Sequence, residues 1–457
     1  MTLQYCVKRL APLALGMGLL LAGLPASAQA VGEVEFARGV GFAQTPGQVP
    51  RTLGKGLSLR EGDRLTTSEG ASAIIKLDDG TKMTVRPNSE MVLQQYHFKE
   101  NAPDNSMLMQ LVRGGFRAVT GLISKNAPDA AKVRTSTATI GIRGTDFDAR
   151  LCVRECGVES SRVQESARPN AVQASAKVVN SQGVLNATDA GGQRRRLVDG
   201  GSVYPGDVVE TSQGTRAVLA FRDDTRITLG QTTRFRVDNF VYDTQNAGEG
   251  RFLASVLKGT VRALTGLIAK ANNRNVGFST ATATIGIRGT GLDIVCTGIC
   301  AEEAATDDSG LTVFTWLGSV SVQQTGTTAL EVLQAGQGLF ISASGVRPIA
   351  NQPTINEPRP DTIDIPAKLF SRDSVSDEQE GLFVFVRDGH IEIATANDIL
   401  QLGRGEAGFA GISGNTVRPN LIPKFIDFDK MPLPTSRNPL LVSVLADAGV
   451  RPSNQCK

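Results

Sequence analysis

The nine-residue string TATIGIRGT stands twice in this 457-residue chain, at Thr137–Thr145 and at Thr282–Thr290. Identical strings of that length force the two stretches into the same local structure, so the fold must contain one module twice. Laid together without a gap, residues 107–145 and 252–290 agree at 19 of 39 positions, including Thr120–Ile123 and Thr265–Ile268. The repeat therefore extends well beyond the string, and copies of a module usually serve recognition. Each copy is followed by a Cys-x-x-x-Cys pair, Cys152 with Cys156 and Cys296 with Cys300.

Upstream of the string the two halves run in parallel. Ala73, Ile75 and Leu77 alternate with other neighbours, as do Ala217, Leu219 and Phe221, which is the period of a half-buried strand. Asp78, Asp79 and Gly80 break the first alternation and Asp223, Asp224 and Thr225 the second, before Met83 and Val85 or Ile227 and Leu229 resume it. Each set predicts a β-hairpin, most clearly at the Asp-Gly turn of the first copy. The same two-strand unit recurs near residues 34, 178, 313 and 384. With 49 Gly and only 5% aromatic residues, the composition favours many short strands and turns. The expected fold is all-β: two tandem homologous modules resembling β-sandwiches or β-rolls, plus a smaller C-terminal β segment. Sandwich, roll and solenoid all remain open at this point, since each protects strand edges. The expected boundaries are 1–30 for a leader, 31–158 and 172–345 for the modules, 346–375 for a Pro-rich linker, and 376–457 for the C-terminal segment and an extended tail.

The leader follows from Lys8 and Arg9, an apolar run from Leu10 to Leu24, and small residues at Ala26, Ala28 and Ala30. That is the pattern of a cleavable secretory signal peptide, and no later stretch approaches the roughly 18 apolar residues of a membrane helix. Loss of Lys8 and Arg9, with no acid among residues 1–30, takes the formal charge from +3 to +1. A near-neutral chain without a basic stripe gives no sign of nucleic-acid binding. An exported context favours a disulfide within each of the pairs Cys152–Cys156 and Cys296–Cys300. A metal site would recruit further ligands, yet the only histidines, His97 and His390, stand far from both pairs. No metal and no cofactor are expected. Cys456 is left over near the end of the chain.

Gly62-Asp63, then Thr67-Ser68-x-Gly70-x-x-Ala73, then Asp79-x-Thr81, a strand, an apolar run ending in Gly114, and finally TATIGIRGT form an ordered series that recurs in the second copy. In order and spacing it resembles the FecR domain, over about residues 34–150 and again 178–295. The resemblance implies a periplasmic all-β module that senses a ligand or partner. In the namesake regulators such a domain hears an outer-membrane receptor and signals to a sigma factor. This chain departs from them in its cleavable leader and in having neither an internal membrane helix nor a cytoplasmic helical segment. What carries over is the recognition module.

Candidate sites divide between function and scaffold. Arg143 and Arg288 precede Gly-Thr, and Asp148 and Asp293 follow five residues on. An arginine fork grips carboxylates well, so these residues could hold a ligand or partner, or they could form Arg–Asp pairs beside a turn. GRGEAG at Gly403–Gly408 fits a dinucleotide pattern but occupies the place of Gly62-Asp63 and lacks a strand–turn–helix context. Arg194, Arg195 and Arg196 form the only dense basic run, expected as a solvated loop. Trp316 is expected to be buried rather than to present a sugar platform. No Ser-His-Asp set, HExxH or P-loop is present. The sequence thus reads as a non-catalytic exported envelope protein, a sensor or adaptor for another envelope protein, with peptidoglycan or surface polysaccharide as the alternative partner and the periplasm as the expected location.

Overall fold

The computed structural model describes residues 30–127, 129–306, 308–429, 431 and 434; the expected leader, apart from Ala30, and Cys456 lie outside these. The protein is all-β, with two sheets of fifteen strands each among the described residues. Six strands of 14 residues organise it: β1 (Ser106–Val119), β2 (Thr139–Cys152), β3 (Arg251–Leu264), β4 (Ala283–Cys296), β5 (Leu311–Gln324) and β6 (Gly381–Ala394). The string TATIGIRGT supplies the first half of β2 and of β4.

Every one of these six strands has one glycine with positive φ in its middle: Gly114, Gly144, Gly259, Gly289, Gly318 and Gly389. The left-handed conformation bends the strand and breaks its register, which lets a single strand serve two layers. In β1, residues before the bend pair with Glu90–His97 and, in parallel, with Ala131–Arg134, whereas residues beyond it pair with Lys82–Val85 and with β2. The second sheet repeats this arrangement around β3 and β4, with Val276–Ser279 as the parallel strand. Each sheet thereby folds over its own apolar core. Phe116 meets Phe147 edge-on at 5.5 Å in the first core, and Phe221, Phe240, Phe252 and Phe278 cluster in the second.

The hairpins expected from alternation are present. Ala73 faces Val85 and Ile75 faces Met83, while Ala217 faces Leu229 and Leu219 faces Ile227. At the second turn Asp224 adopts φ +66°, taking the left-handed place that Gly80 holds at +85° in the first.

The order of assembly differs from a simple tandem. In the second module β4 continues after a short connection into β5, from Cys296 opposite Leu311 to Ala283 opposite Gln324. In the first module the equivalent partner of β2 is β6, from Cys152 opposite Gly381 to Thr139 opposite Ala394. The C-terminal strands, expected as a separate smaller segment, are therefore hydrogen-bonded into the first sheet, and the second module lies within the sequence of the first. A second difference concerns the Pro-rich linker: the strand Gly345–Ile349 runs from the end of the second module into it and forms an edge against Gly338–Ser342. Pro348 is tolerated there because an edge strand has one side without ladder bonds.

The nested order has a measurable consequence. A chain ending after residue 350 retains every strand of the second module but leaves the long edge of β2 unpaired. Hydrogen exchange of that truncated chain should show residues 139–152 losing protection while residues 283–296 keep theirs; equal protection of both would contradict the topology.

Candidate functional site

The repeated motif is spent on the bends. At each bend of the first four long strands, one hydroxyl holds both backbone groups of the residue that follows the glycine. Ser89 Oγ accepts from Gly115 N at 2.9 Å and donates to Gly115 O at 3.0 Å. Thr120 Oγ1 does the same for Thr145, at 2.8 and 3.1 Å. Thr233 holds Thr260 in the same way, and Thr265 holds Thr290. The relay then crosses to the last long strand of each sheet: Thr145 Oγ1 donates to His390 O at 2.8 Å and Thr290 Oγ1 to Ser319 O at 2.7 Å. Those acceptors follow Gly389 and Gly318, where a Cβ would run into the carbonyls of Gly144 and Gly289. Thr120 and Thr265 open the two TGLI segments, and the glycines after them lie against the Asp-x-Thr turns. Gly121 N and Gly266 N each donate to a turn threonine, Thr81 or Thr225, at 2.9 Å, and a Cβ on either glycine would strike the backbone of Asp79 or Asp223. The best-matched residues of the repeat are thus wired to one another.

The candidate Arg and Asp residues are not brought together as pairs. Asp148 and Asp293 are buried, but their partners are Arg117 and Arg262 on the adjacent strands β1 and β3, at 2.5 and 2.9 Å. Each aspartate has a further partner from the last long strand, at equivalent positions: Arg387 Nε at 2.7 Å from Asp148 and Trp316 Nε1 at 3.2 Å from Asp293. Arg262 Nη1 donates to Glu357 O in the Pro-rich strap at 2.7 Å, and Arg117 Nη1 to Met431 O at 3.4 Å. Arg143 turns instead to Glu392 and Asp129, at 3.3 and 3.2 Å. Arg288 is exposed, with no ion pair among the described residues. Sequence reasoning overlooked Arg117 and Arg262, although both stand at matched positions of the repeat; their distance from Asp148 and Asp293 along the chain concealed the pairing. The cysteines form two disulfides, Cys152–Cys156 and Cys296–Cys300, each closing the turn that leaves β2 or β4. Trp316 is half-buried, with the Arg359 guanidinium 3.9 Å from its ring centroid.

The Gly-Asp positions turn out to be turn anchors, and one of the four also joins the modules. Gly62, Gly206, Gly336 and Gly405 all have φ between 80° and 90°. After three of them an acceptor side chain takes the backbone N–H three residues back: Asp63 from Arg60, Asp207 from Tyr204 and Gln337 from Gln334. Glu406 holds the fourth place, within GRGEAG, and it is fully buried between Lys177 of the second module at 3.0 Å and Arg418 at 2.7 Å. Burial alone would raise the Glu406 carboxyl, but the two cations hold it below the ordinary range. Burial lowers the Lys177 ammonium to about 8. Lys177 Nζ and Arg418 Nη2 both donate to Gln401 O, at 3.0 and 2.8 Å. Beside them the buried Asn170 side chain pairs with Ala407 as a strand would, accepting from its N–H and donating to its carbonyl, each at 2.8 Å. This residue lies between the expected modules, whose boundaries fall at residues 158 and 172.

A cleft of about 580 Å³ opens where the modules meet. Arg195, Arg196 and Tyr204 line it from the second module, and Arg143, Arg387, His390 and Arg404 from the first sheet. The basic run expected as a loop is a strand, Arg194–Leu197, in which Arg195 is bound to Asp207. His390 is neutral, its pKa lowered to about 3 by burial and then by Arg143 and Lys177, and its Nε2 lies 2.7 Å from Gln401 Oε1. Among the described residues no group of three or more His, Cys, Asp or Glu is placed to hold a metal, and no helix is long and apolar enough to cross a membrane.

Three substitutions test these assignments. Thr120→Val leaves both backbone groups of Thr145 without the hydroxyl that holds them, and should cost about 1–3 kcal/mol in chemical denaturation. Glu406→Ala strands two buried cations and should cost about 3–5 kcal/mol, whereas Glu392→Ala, on a half-exposed pair, should cost under about 1 kcal/mol.

Comparison with known proteins follows the two modules. The family described as FecR protein matches residues 63–164 and 207–333, together half of the chain. No curated protein matches the chain significantly. Two crystal structures of an anti-sigma-factor candidate from Parabacteroides distasonis ATCC 8503 share 15% identity over 32% of this chain, with a TM-score of 0.24. The match spans 59% of those proteins' length. With one matched segment falling in each bent-strand module, the chain belongs to the FecR protein family.

Proposed function

We propose that this protein is a non-catalytic recognition component of the cell envelope, an exported sensor or adaptor that binds another envelope protein. Family membership supports the class, and the two disulfides fit an oxidising compartment. The observation that carries the reading is an unequal pair of strand edges. In the first module the edge strand Ile399–Leu402 lies against the second module, and Lys177 bonds its carbonyl at Gln401. Its counterpart in the second module, Leu330–Gln334, pairs among the described residues with β5 alone and exposes Leu330 and Val332 on alternate positions. An open apolar strand edge is a template for strand addition by a partner. The glycan alternative draws no support from Trp316, whose ring is stacked by Arg359.

The test is crosslinking in living cells through a photoreactive residue at position 330, followed by identification of the captured protein. An envelope protein should be recovered, and Leu330→Lys combined with Val332→Lys should abolish its capture without lowering the thermal midpoint. Recovery of the chain alone, or with wall fragments only, would refute the reading.

A further inference from the structure

The cleft between the modules lies on elements other than the open edge, and its chemistry points to a different kind of ligand. We propose that it binds a small dianion, a molecule carrying phosphate or carboxylate groups, between Arg196 of the second module and Arg404 of the first sheet. Of the five guanidinium groups that line the cleft, three already have carboxylates: Arg143 has Glu392, Arg195 has Asp207 and Arg387 has Asp148. Arg196 and Arg404 are exposed and have no carboxylate within ion-pair distance among the described residues.

Arg404 is nonetheless held in place. Its backbone N–H donates to the Tyr204 hydroxyl at 2.9 Å, and its guanidinium stands 4.5 Å from the centroid of the Tyr204 ring. Contact with an aromatic face restrains the side chain while leaving its N–H groups free to bind. The lining carboxylates offer little competition. Asp207 is occupied by Arg195, and Asp189 accepts from the N–H groups of Gly191 and Gln193 at 2.9 and 2.8 Å. Among the described residues, that leaves Asp388 as the one uncommitted lining carboxylate against two uncommitted guanidinium groups.

A planar guanidinium fork binds phosphate and carboxylate alike, through two parallel N–H bonds. The volume is that of a small-molecule site, and such sites favour domain interfaces. Since Arg196 and Arg404 come from different modules, an anion held by both would tie the modules together. The site is independent of the strand-edge reading, and failure of either leaves the other standing.

Calorimetric titration of the purified full chain with inorganic pyrophosphate, and separately with succinate, tests the proposal. One-site binding of at least one anion is expected, weakened by added salt because the groups are exposed. Arg196→Ala and Arg404→Gln should each weaken it about tenfold or more, the loss of one charged hydrogen-bonding partner. Arg288→Ala, at an exposed arginine outside the cleft, should leave it unchanged, and thermal midpoints of all three variants should match the parent. Binding of pyrophosphate alone assigns a phosphate ligand, and binding of succinate alone a carboxylate ligand. Absence of saturable binding for both anions, or binding equally strong in both cleft variants, would overturn the proposal.

Discussion

The fold depends on the bend in the middle of each long strand. A strand that crosses from one layer to another must break its ladder, and the broken ladder leaves buried backbone groups that need new partners. Here glycine makes the bend sterically allowed, and a serine or threonine hydroxyl on a neighbouring segment takes both the donor and the acceptor of the next residue. At the first four bends the hydroxyl takes the N–H that the ladder leaves, while the carbonyl of the same residue accepts both from that hydroxyl and from a backbone N–H, of Arg86, Thr120, Gly230 or Thr265. The arrangement runs from strand to strand, through Thr120 and Thr145 to His390 and through Thr265 and Thr290 to Ser319, so the bends are aligned across each sheet. This explains why the segments around Thr120 and Thr145 are the best-preserved parts of the repeat. They are constrained by backbone chemistry that any copy of the module must satisfy.

The joint between modules is built on different physics. Lys177, Glu406 and Arg418 are removed from water completely, an arrangement whose desolvation cost is offset only when the ions are well paired and hydrogen-bonded. Gln401 O accepts from both cations, and Arg418 also donates to Ser371 O at 2.9 Å. Such a cluster contributes little net stability beside apolar packing but tolerates few alternative geometries, and it fixes how the second module sits on the first. The counterpart positions elsewhere in the repeat lack this chemistry: Glu33 takes the place of Lys177 in the first module and is exposed, and Gln337 takes the place of Glu406 in the second. The ion cluster is confined to the one face where the two modules touch.

Local features were legible in the sequence, and long-range ones were not. Alternation around Ile75 and Leu219 gave the hairpins, because a half-buried strand records its environment every second residue. Cysteines four residues apart bond to each other, and GRGEAG does fall at the place of Gly62-Asp63, because turn chemistry is local. The pairing of β2 with β6 left no comparable trace. A strand edge has the same residue preferences whether its partner is the next strand or one more than two hundred residues away, and four similar two-strand units gave no way to tell which completes which sheet. The Arg–Asp pairs misled for a related reason: proximity in sequence put Arg143 beside Asp148, while register put Arg117 there. Alternate residues near a bend point to different layers, so nearness along the strand says little about contact. The cleft was invisible because one wall belongs to the second module and the other to segments of the first sheet that stand on either side of that module in the sequence.

Cys152 and Gly381 are register partners at the end of the β2–β6 ladder. The two points at which the chain leaves the first module and returns to it are therefore neighbours in space, as are Cys296 and Leu311 in the second module. Everything between residues 152 and 381 is, in geometric terms, a loop of a single hairpin, one large enough to hold a folded module with its own core. In the second module the equivalent gap is closed by residues 297–310 alone. The architecture is that of a host and a guest of the same kind, in which the guest enters and leaves at one place and interrupts no strand of the host.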